Sequence, residues 1–145
     1  MTSQLLGGTR EVDTRNYEEA FPQVDFTVEP TGNKVLVQLR RTKTKTAAGF
    51  HLPEQVQQTE KYNEVIAVVR RLGPTAYRNL ETLEPWPEGI WVKEGDLVRV
   101  GKYGNDRFSI PYDDGEISFV MAQDVDIFGK IDSWETAKQI VPFVK

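Results

Sequence analysis

Two apolar runs, Lys34-Val35-Leu36-Val37-Gln38-Leu39-Arg40 and Glu64-Val65-Ile66-Ala67-Val68-Val69, bracket a stretch that cannot bury itself. That stretch, RRTKTKTAAGFHLPEQVQQTEKY from Arg40 to Tyr62, is rich in Thr, Lys and Gln. It holds too little apolar surface to offset the entropy of ordering it. The flanking runs must therefore belong to a rigid body, which the polar run leaves as a long surface excursion expected to be flexible. In the first run Val35, Val37 and Leu39 alternate with Leu36, Gln38 and Arg40, the period-two mark of a half-buried strand. The second is apolar on both faces, as for a strand in a closed core. Inside the excursion sits one compact apolar unit, Gly49-Phe50-His51-Leu52-Pro53. On composition alone it reads equally well as a stray Phe on a surface loop or as the tip of a binding arm.

The rest of the chain is punctuated in the same way. Pro74, Pro85 and Pro87, with Gly73 and Gly89, forbid a long helix or a central strand between Arg70 and Gly89. Trp86 and Trp91 are expected to clamp this irregular excursion onto the body rather than bind a ligand. Trp91 to Val100 reads as strand, turn at Gly95-Asp96, strand, and Tyr103-Gly104-Asn105 as a further turn. Arg107–Ile110 and Ile117–Met121 read as strands joined by the Asp113-Asp114-Gly115-Glu116 turn. Many short strands with Gly and Asp turns predict an all-β fold, a small barrel or sandwich. At the ends, Asp13 could cap a short helix over residues 14–21 stopped by Pro22, and Asp132 with Glu135 could cap another running to about Ile140. Asp25–Val28 alternates like a short strand. The N-terminal extension is expected to be loosely ordered and dispensable.

The 145 residues, 39% apolar, suit one domain with a modest core. A net charge of −4 argues against nucleic acid as the main partner. There is no cysteine, and His51 is the single histidine. Thiolate and imidazole metal clusters and Ser-His or Cys-His nucleophiles are thereby removed. The acidic run Asp113, Asp114 and Glu116 lacks the spacing of a calcium loop, and no glycine-rich phosphate loop is present. Glu18-Glu19 and Asp124/Asp126 read as surface charge. No catalytic residue and no metal site is expected, and the chain reads as a non-enzyme. No apolar run approaches the roughly 20 residues of a membrane helix, and the N-terminus lacks the pattern of a secretory signal.

Five segments in order carry a resemblance. Lys34–Arg40 followed by Thr44-Lys45-Thr46-Ala47-Ala48-Gly49-Phe50-His51-Leu52-Pro53-Glu54 resembles the first strand and mobile loop of the GroES family of co-chaperonins. Asn63-Glu64-Val65-Ile66-Ala67-Val68 is similar to its G-E-V-[IL]-A-V strand, and Lys93-Glu94-Gly95-Asp96-Leu97-Val98 to its V-K-x-G-D-x-V turn. Lys102-Tyr103-Gly104-Asn105 resembles its x-Y-G-G segment, and Ala122–Gly129 its closing strand. The run from Gly73 to Trp91, with Pro74, Ala76-Tyr77-Arg78-Asn79 and Glu84-Pro85-Trp86-Pro87-Glu88-Gly89, looks like members encoded by tailed phages. Two departures stand out. His51 takes a position that is usually aliphatic, and Ala48 replaces the usual Gly.

The resemblance implies a division into an extension (1–29), a GroES-like β-barrel (30–131, mobile loop about 41–61, roof loop about 70–90) and a second extension (132–145). It further implies a heptameric ring that caps a GroEL-type chaperonin and encloses unfolded substrate protein. ATP would be the partner's cofactor, with none on this chain, and the setting the cytoplasm (a host's, if phage-encoded). Gly49, Phe50, His51 and Leu52 would bind the chaperonin. Strand pairing between Val35–Leu39 and Val125–Ile131 of neighbouring subunits would close the ring, with Val35, Val37, Leu39, Val125, Ile127 and Phe128 at the interface. Tyr103 would face the inner surface. The rivals are an all-β phage structural or assembly protein sharing the barrel, and a single-stranded nucleic-acid-binding barrel with Tyr103 and Phe108 as stacking platforms. A zinc-dependent alcohol dehydrogenase domain is excluded by the missing cysteines.

Overall fold

The computed structural model describes residues 13, 15–25, 28–41, 64–101, 106–113 and 115–140. Six strands, β1 (Lys34–Leu39), β2 (Ile66–Leu72), β3 (Leu97–Val100), β4 (Asp106–Tyr112), β5 (Gly115–Gln123) and β6 (Ile127–Ile131), form one antiparallel sheet in the order β4-β5-β1-β2-β3-β6. The all-β expectation is met. Both apolar runs at the ends of the Arg40–Tyr62 excursion became neighbouring strands, with Leu39 paired to Ala67 and Val35 to Leu72. The Asp113 turn joins β4 to β5 as a hairpin, Tyr112 opposite Gly115, with Asp113 at φ +53°. The strand expected over Trp91–Lys93 did not form. Lys93, Asp96 and a left-handed Gly95 (φ +94°) close a turn there, and β3 begins only at Leu97.

The sheet cannot be flat. β5 ends at Gln123 and β6 starts at Ile127, yet four strand spacings separate these two strands in the sheet. A flat sheet would put them about 19 Å apart, whereas four residues reach at most about 14 Å. The link, a single 3-10 turn over Asp124–Asp126, therefore holds the sheet rolled. Its inner face gathers Val35, Val37, Leu39, Ala67, Val69, Val98, Val100, Val120, Ala122 and Ile127, together with Ala76, Tyr77 and Val92 from the excursion between β2 and β3.

The outer face is covered as well. β1 was expected to be half-buried, but every residue from Val35 to Arg40 is buried. The covering comes from both chain ends. α1 (Tyr17–Ala20), Phe21, and α2 (Trp134–Ala137) pack with Ile140 on Ile66, Val68, Leu97 and Ile131. Phe21 meets Trp134 edge-on at 5.7 Å and Tyr17 at 5.4 Å. Gln38, fully buried, is satisfied at both ends: its Nε2 donates to the Pro22 carbonyl and its Oε1 accepts from Arg70 Nε. Residues 15–25 are thus a docked layer, not the loosely ordered extension the sequence suggested. The helix caps also shift. Asn16 and Glu19 form the capping box of α1 in place of Asp13, and Ser133 caps α2 in place of Asp132. The expected strand over Asp25–Val28 is not formed at its described ends, and its middle lies outside the described residues.

One close backbone approach braces the far end of β1. A Cβ on Gly73 would lie 2.3 Å from the Gly32 carbonyl oxygen and 2.9 Å from that of Lys34, both backbone atoms that cannot swing aside. Gly73→Ala should therefore cost about 1–3 kcal/mol of overpacking, lowering the melting temperature by roughly 5–10 °C. An unchanged melt would show that this turn yields freely.

Candidate functional site

The point from which the polar excursion leaves the barrel holds an elaborate polar cluster among the described residues. Its two feet are Arg40 and Glu64, one residue beyond β1 and two before β2, joined by the Arg40 N–H to the Ile66 carbonyl. Their side chains meet as a fork: Arg40 Nε and Nη2 donate to Glu64 Oε2 at 2.9 Å and Oε1 at 3.2 Å. Glu64 Oε1 also accepts from the N–H groups of Val65 and Ile66, so one carboxylate both pairs the arginine and caps the start of β2. Arg40 and Glu64 side chains are only 3% and 6% exposed, a burial tolerable for two charges only because each has its partners.

The chain ends complete this arrangement. Asp13, from the N-terminal extension, is buried and chelates Arg15 through three hydrogen bonds, two from the guanidinium and one from the Arg15 N–H. Its Oδ2 lies 4.0 Å from Arg40 Nη1, which also donates to the Ala137 carbonyl at the end of α2. Arg15 Nη2 donates to the Arg41 carbonyl and the Arg41 N–H donates to the Ala20 carbonyl, so both backbone groups of the residue following the Arg40 foot are held by the N-terminal segment. Trp134 Nε1 donates to the Arg15 carbonyl and the Asp13 N–H to that of Lys138, tying one terminus to the other. The Arg41 guanidinium sits over the Tyr112 ring, 5.0 Å from its centre.

Burial alone would push the Asp13 carboxyl up, but the hydrogen bonds and charge of Arg15, with the charge of Arg40, outweigh it and hold it below its ordinary value of 3.8. A depressed carboxylate stabilises the fold fully above the unfolded value and loses that contribution as pH falls through the folded one. The melting temperature of the native protein should therefore drop more steeply than that of Asp13→Asn as pH is lowered from about 5 towards about 3. Parallel curves would show that this carboxylate does not titrate with folding.

The second excursion, residues 73–96, is moored by Tyr77. This residue is fully buried and held at φ +61°, with its N–H donating to Asp124 Oδ2 and its hydroxyl to the Asp124 carbonyl. Trp86 and Trp91 pack on its ring at 5.3 and 5.2 Å and on each other at 5.1 Å, the clamp expected of them. Asp124 is a correction: it is 2% exposed rather than surface charge, and Asn33 Nδ2 donates to its other oxygen. It thereby pins the 3-10 turn, the excursion and the start of β1 together.

Of the residues singled out by sequence, Gly49, Phe50, His51, Leu52 and Tyr103 lie outside the described residues. The ring-closing strand needs revision. β1 is hydrogen-bonded to β2 on one side and β5 on the other, leaving no edge for a neighbour, and Val35, Val37, Leu39 and Ile127 are spent in the inner core. Val125, in the 3-10 turn, and Phe128, on β6, do face outwards, 52% and 71% exposed, and β6 is a terminal strand of the sheet. Phe108 stacks on Phe119 at 5.5 Å within its own hairpin. No group of three His, Cys, Asp or Glu among the described residues is placed to hold a metal, and no described helix is long and apolar enough to cross a membrane.

A rolled antiparallel sheet of six short strands, with a long excursion between β1 and β2 and a moored one between β2 and β3, defines a small barrel of the 10-kDa chaperonin type. The family model described as the chaperonin 10 kDa subunit matches residues 27–131, and the chain belongs to that family. Among its curated relatives, the co-chaperonin GroES of Rhodothermus marinus is 30% identical over 105 residues, 72% of this chain and 92% of that protein. Co-chaperonin GroES 1 of Mesorhizobium japonicum is 32% identical over 110 residues, 76% of this chain and 94% of its own. The co-chaperonin GroES of Rubrobacter xylanophilus is 32% identical over 104 residues, 72% and 96%. The matches cover nearly all of each relative, so the terminal segments are what this chain adds.

Proposed function

We propose that this protein is a co-chaperonin that docks on a GroEL-type chaperonin in the presence of ATP through the segment between Arg41 and Glu64. The observation that carries the reading is the family match across 27–131 combined with the GFHLP unit placed between two rigidly joined feet. The tip residues are Gly49, Phe50, His51 and Leu52. In an extended segment Phe50 and Leu52 point to one side and His51 to the other, so a polar middle residue is tolerated. The run from Gly73 to Trp91 that looks like the phage-encoded members supports placing the chain with them.

The energetics require several arms. Burying Phe50 and Leu52 contributes about 3–6 kcal/mol, whereas ordering about ten residues costs roughly 10 kcal/mol before any strand hydrogen bonds form. A lone arm binds weakly; arms on a common ring multiply their effect through high effective concentration. The ring we propose is a heptamer whose subunits meet at the free edge of β6, where Val125 and Phe128 are exposed. An unpaired edge flanked by a bare Phe is otherwise an aggregation hazard. Phe128→Asp should convert the ring to monomers by light scattering without loss of β structure by circular dichroism. A ring that survives this change moves the interface elsewhere. The reading as a whole is tested by mixing the protein with a purified GroEL-type chaperonin, with and without ATP. Co-elution only with ATP is expected, and none in either condition would overturn it.

A further inference from the structure

We infer that the two chain ends form a clasp that sets the feet of the 42–63 segment, making Asp13, Arg15 and Trp134 positioning residues for the arm. The inference deepens the co-chaperonin reading and rests on it for the arm's role, but the clasp itself rests on described residues alone.

Three observations converge on it. First, the contacts are aimed at the feet rather than spread over the barrel. Arg41 has its N–H bound by the Ala20 carbonyl and its carbonyl bound by Arg15 Nη2, the pairing a strand residue would have, although Arg41 lies two residues past the end of β1. Arg40 is gripped by Glu64 on one side and by the Ala137 carbonyl and Asp13 on the other. Secondly, the charges are paired within the cluster. Asp13 with Arg15 and Glu64 with Arg40 make two ion pairs in contact, three of whose side chains are at most 6% exposed, and the Arg107 guanidinium adds a further positive charge facing Glu64. Removing one charge leaves the others uncompensated in a water-poor setting, so the four respond together. Thirdly, every clasp residue outside the feet, 13–21 and 133–140, falls beyond the matched family region, while both feet fall inside it. The clasp is an addition laid onto the family's frame at the place where the arm begins.

A foot residue already fixed in the unbound protein is one that docking does not have to order. Opening the clasp frees Arg41 and lengthens the run that must be ordered, on every subunit at once, so a modest loss per arm compounds across the ring.

The test compares full-length Asp13→Asn with Gly73→Ala, which weakens the barrel at the opposite end of β1. Three quantities are measured: hydrogen exchange of the Arg41 and Ile66 amides, ring mass by light scattering, and ATP-dependent affinity for a purified GroEL-type chaperonin. Asp13→Asn is expected to speed exchange at Arg41 at least about tenfold and to weaken chaperonin binding by about tenfold or more, with ring mass unchanged. Gly73→Ala, at a comparable fall in melting temperature, should alter neither exchange at Arg41 nor affinity. If Asp13→Asn does not fold, Trp134→Phe removes the indole bond to the Arg15 carbonyl while keeping the apolar contact, and the same readouts decide. Unchanged exchange at Arg41, or equal weakening by Gly73→Ala, overturns the clasp. Faster exchange in a protein whose wild type binds no chaperonin would leave the clasp standing as a hold on the feet and remove the co-chaperonin reading instead.

Discussion

Leu52→Asp is expected to leave the melting temperature within a degree or two of the native value and to abolish ATP-dependent chaperonin binding. Phe50→Asp should do the same. The thermal expectation follows from the setting of the pair, in a Thr/Lys/Gln-rich run with too few apolar neighbours to make a core. The binding expectation follows from arithmetic. Each arm loses about 1.5–3 kcal/mol of burial, a factor of roughly 10 to 150, and the loss recurs on every subunit that docks at once. His51→Val should bind at least as tightly as the native protein, because it places an apolar group where the resemblance to the GroES family implies an aliphatic residue. The measurements are affinity for a purified chaperonin with ATP and the melt of each variant. Unfolding of Leu52→Asp would show that the tip is part of the core, and normal binding would show that the arm lies elsewhere.

The second large effect is expected at Tyr77. Tyr77→Ala removes a fully buried ring, the support of Trp86 and Trp91, and the hydroxyl bond to the Asp124 carbonyl. Large-to-small changes of this kind cost about 3–5 kcal/mol, which for a chain of this size lowers the melting temperature by roughly 10–20 °C. The tryptophan emission should shift to the red as the two indoles lose their packing. Tyr77→Phe isolates the hydroxyl and should cost only about 1 kcal/mol. Burial, and the Asp124 carboxylate beside it, raise the Tyr77 hydroxyl well above its ordinary value, so it remains a donor throughout the physiological range. A Tyr77→Ala protein that melts like the native one would mean the 73–96 excursion is not moored through this side chain.

The Phe50–Leu52 pair and Tyr77 mark opposite limits of what one dimension can show. Phe50 and Leu52 are conspicuous because they are apolar residues in a run whose sequence neighbours are polar, and the surrounding motif points to a family. Tyr77 is one aromatic among several in an irregular stretch, and its importance depends on Asp124, 47 residues away, which by composition looked like surface charge. The clasp was less visible still. Arg40 and Glu64 sit at the ends of apolar runs, where charge is ordinary, and Asp13 resembled a helix cap. Only the docking of both termini on the outer sheet face brings Asp13 within reach of Arg40 across 27 positions of sequence.

Alternation of apolar residues, the placement of Gly, Pro and Asp, and the order of short motifs were sufficient for the strands, the hairpin turn and the all-β class, because each depends on residues close in sequence. The same local logic marked residues 40–62 as unable to build a core. What the tertiary structure decided was which face and which edge each strand presents. Period-two alternation cannot distinguish a strand with one wet face from one covered on both sides, so the burial of Leu36, Gln38 and Arg40 under the N-terminal segment was not legible. Nor does a strand's sequence state its place in the sheet. β1, expected to offer its edge to a neighbour, is enclosed between β2 and β5, and the terminal strands of the sheet are β4 and β6. Edges, second faces and buried ion networks arise from contacts between distant segments, and those exist only once the chain has closed on itself.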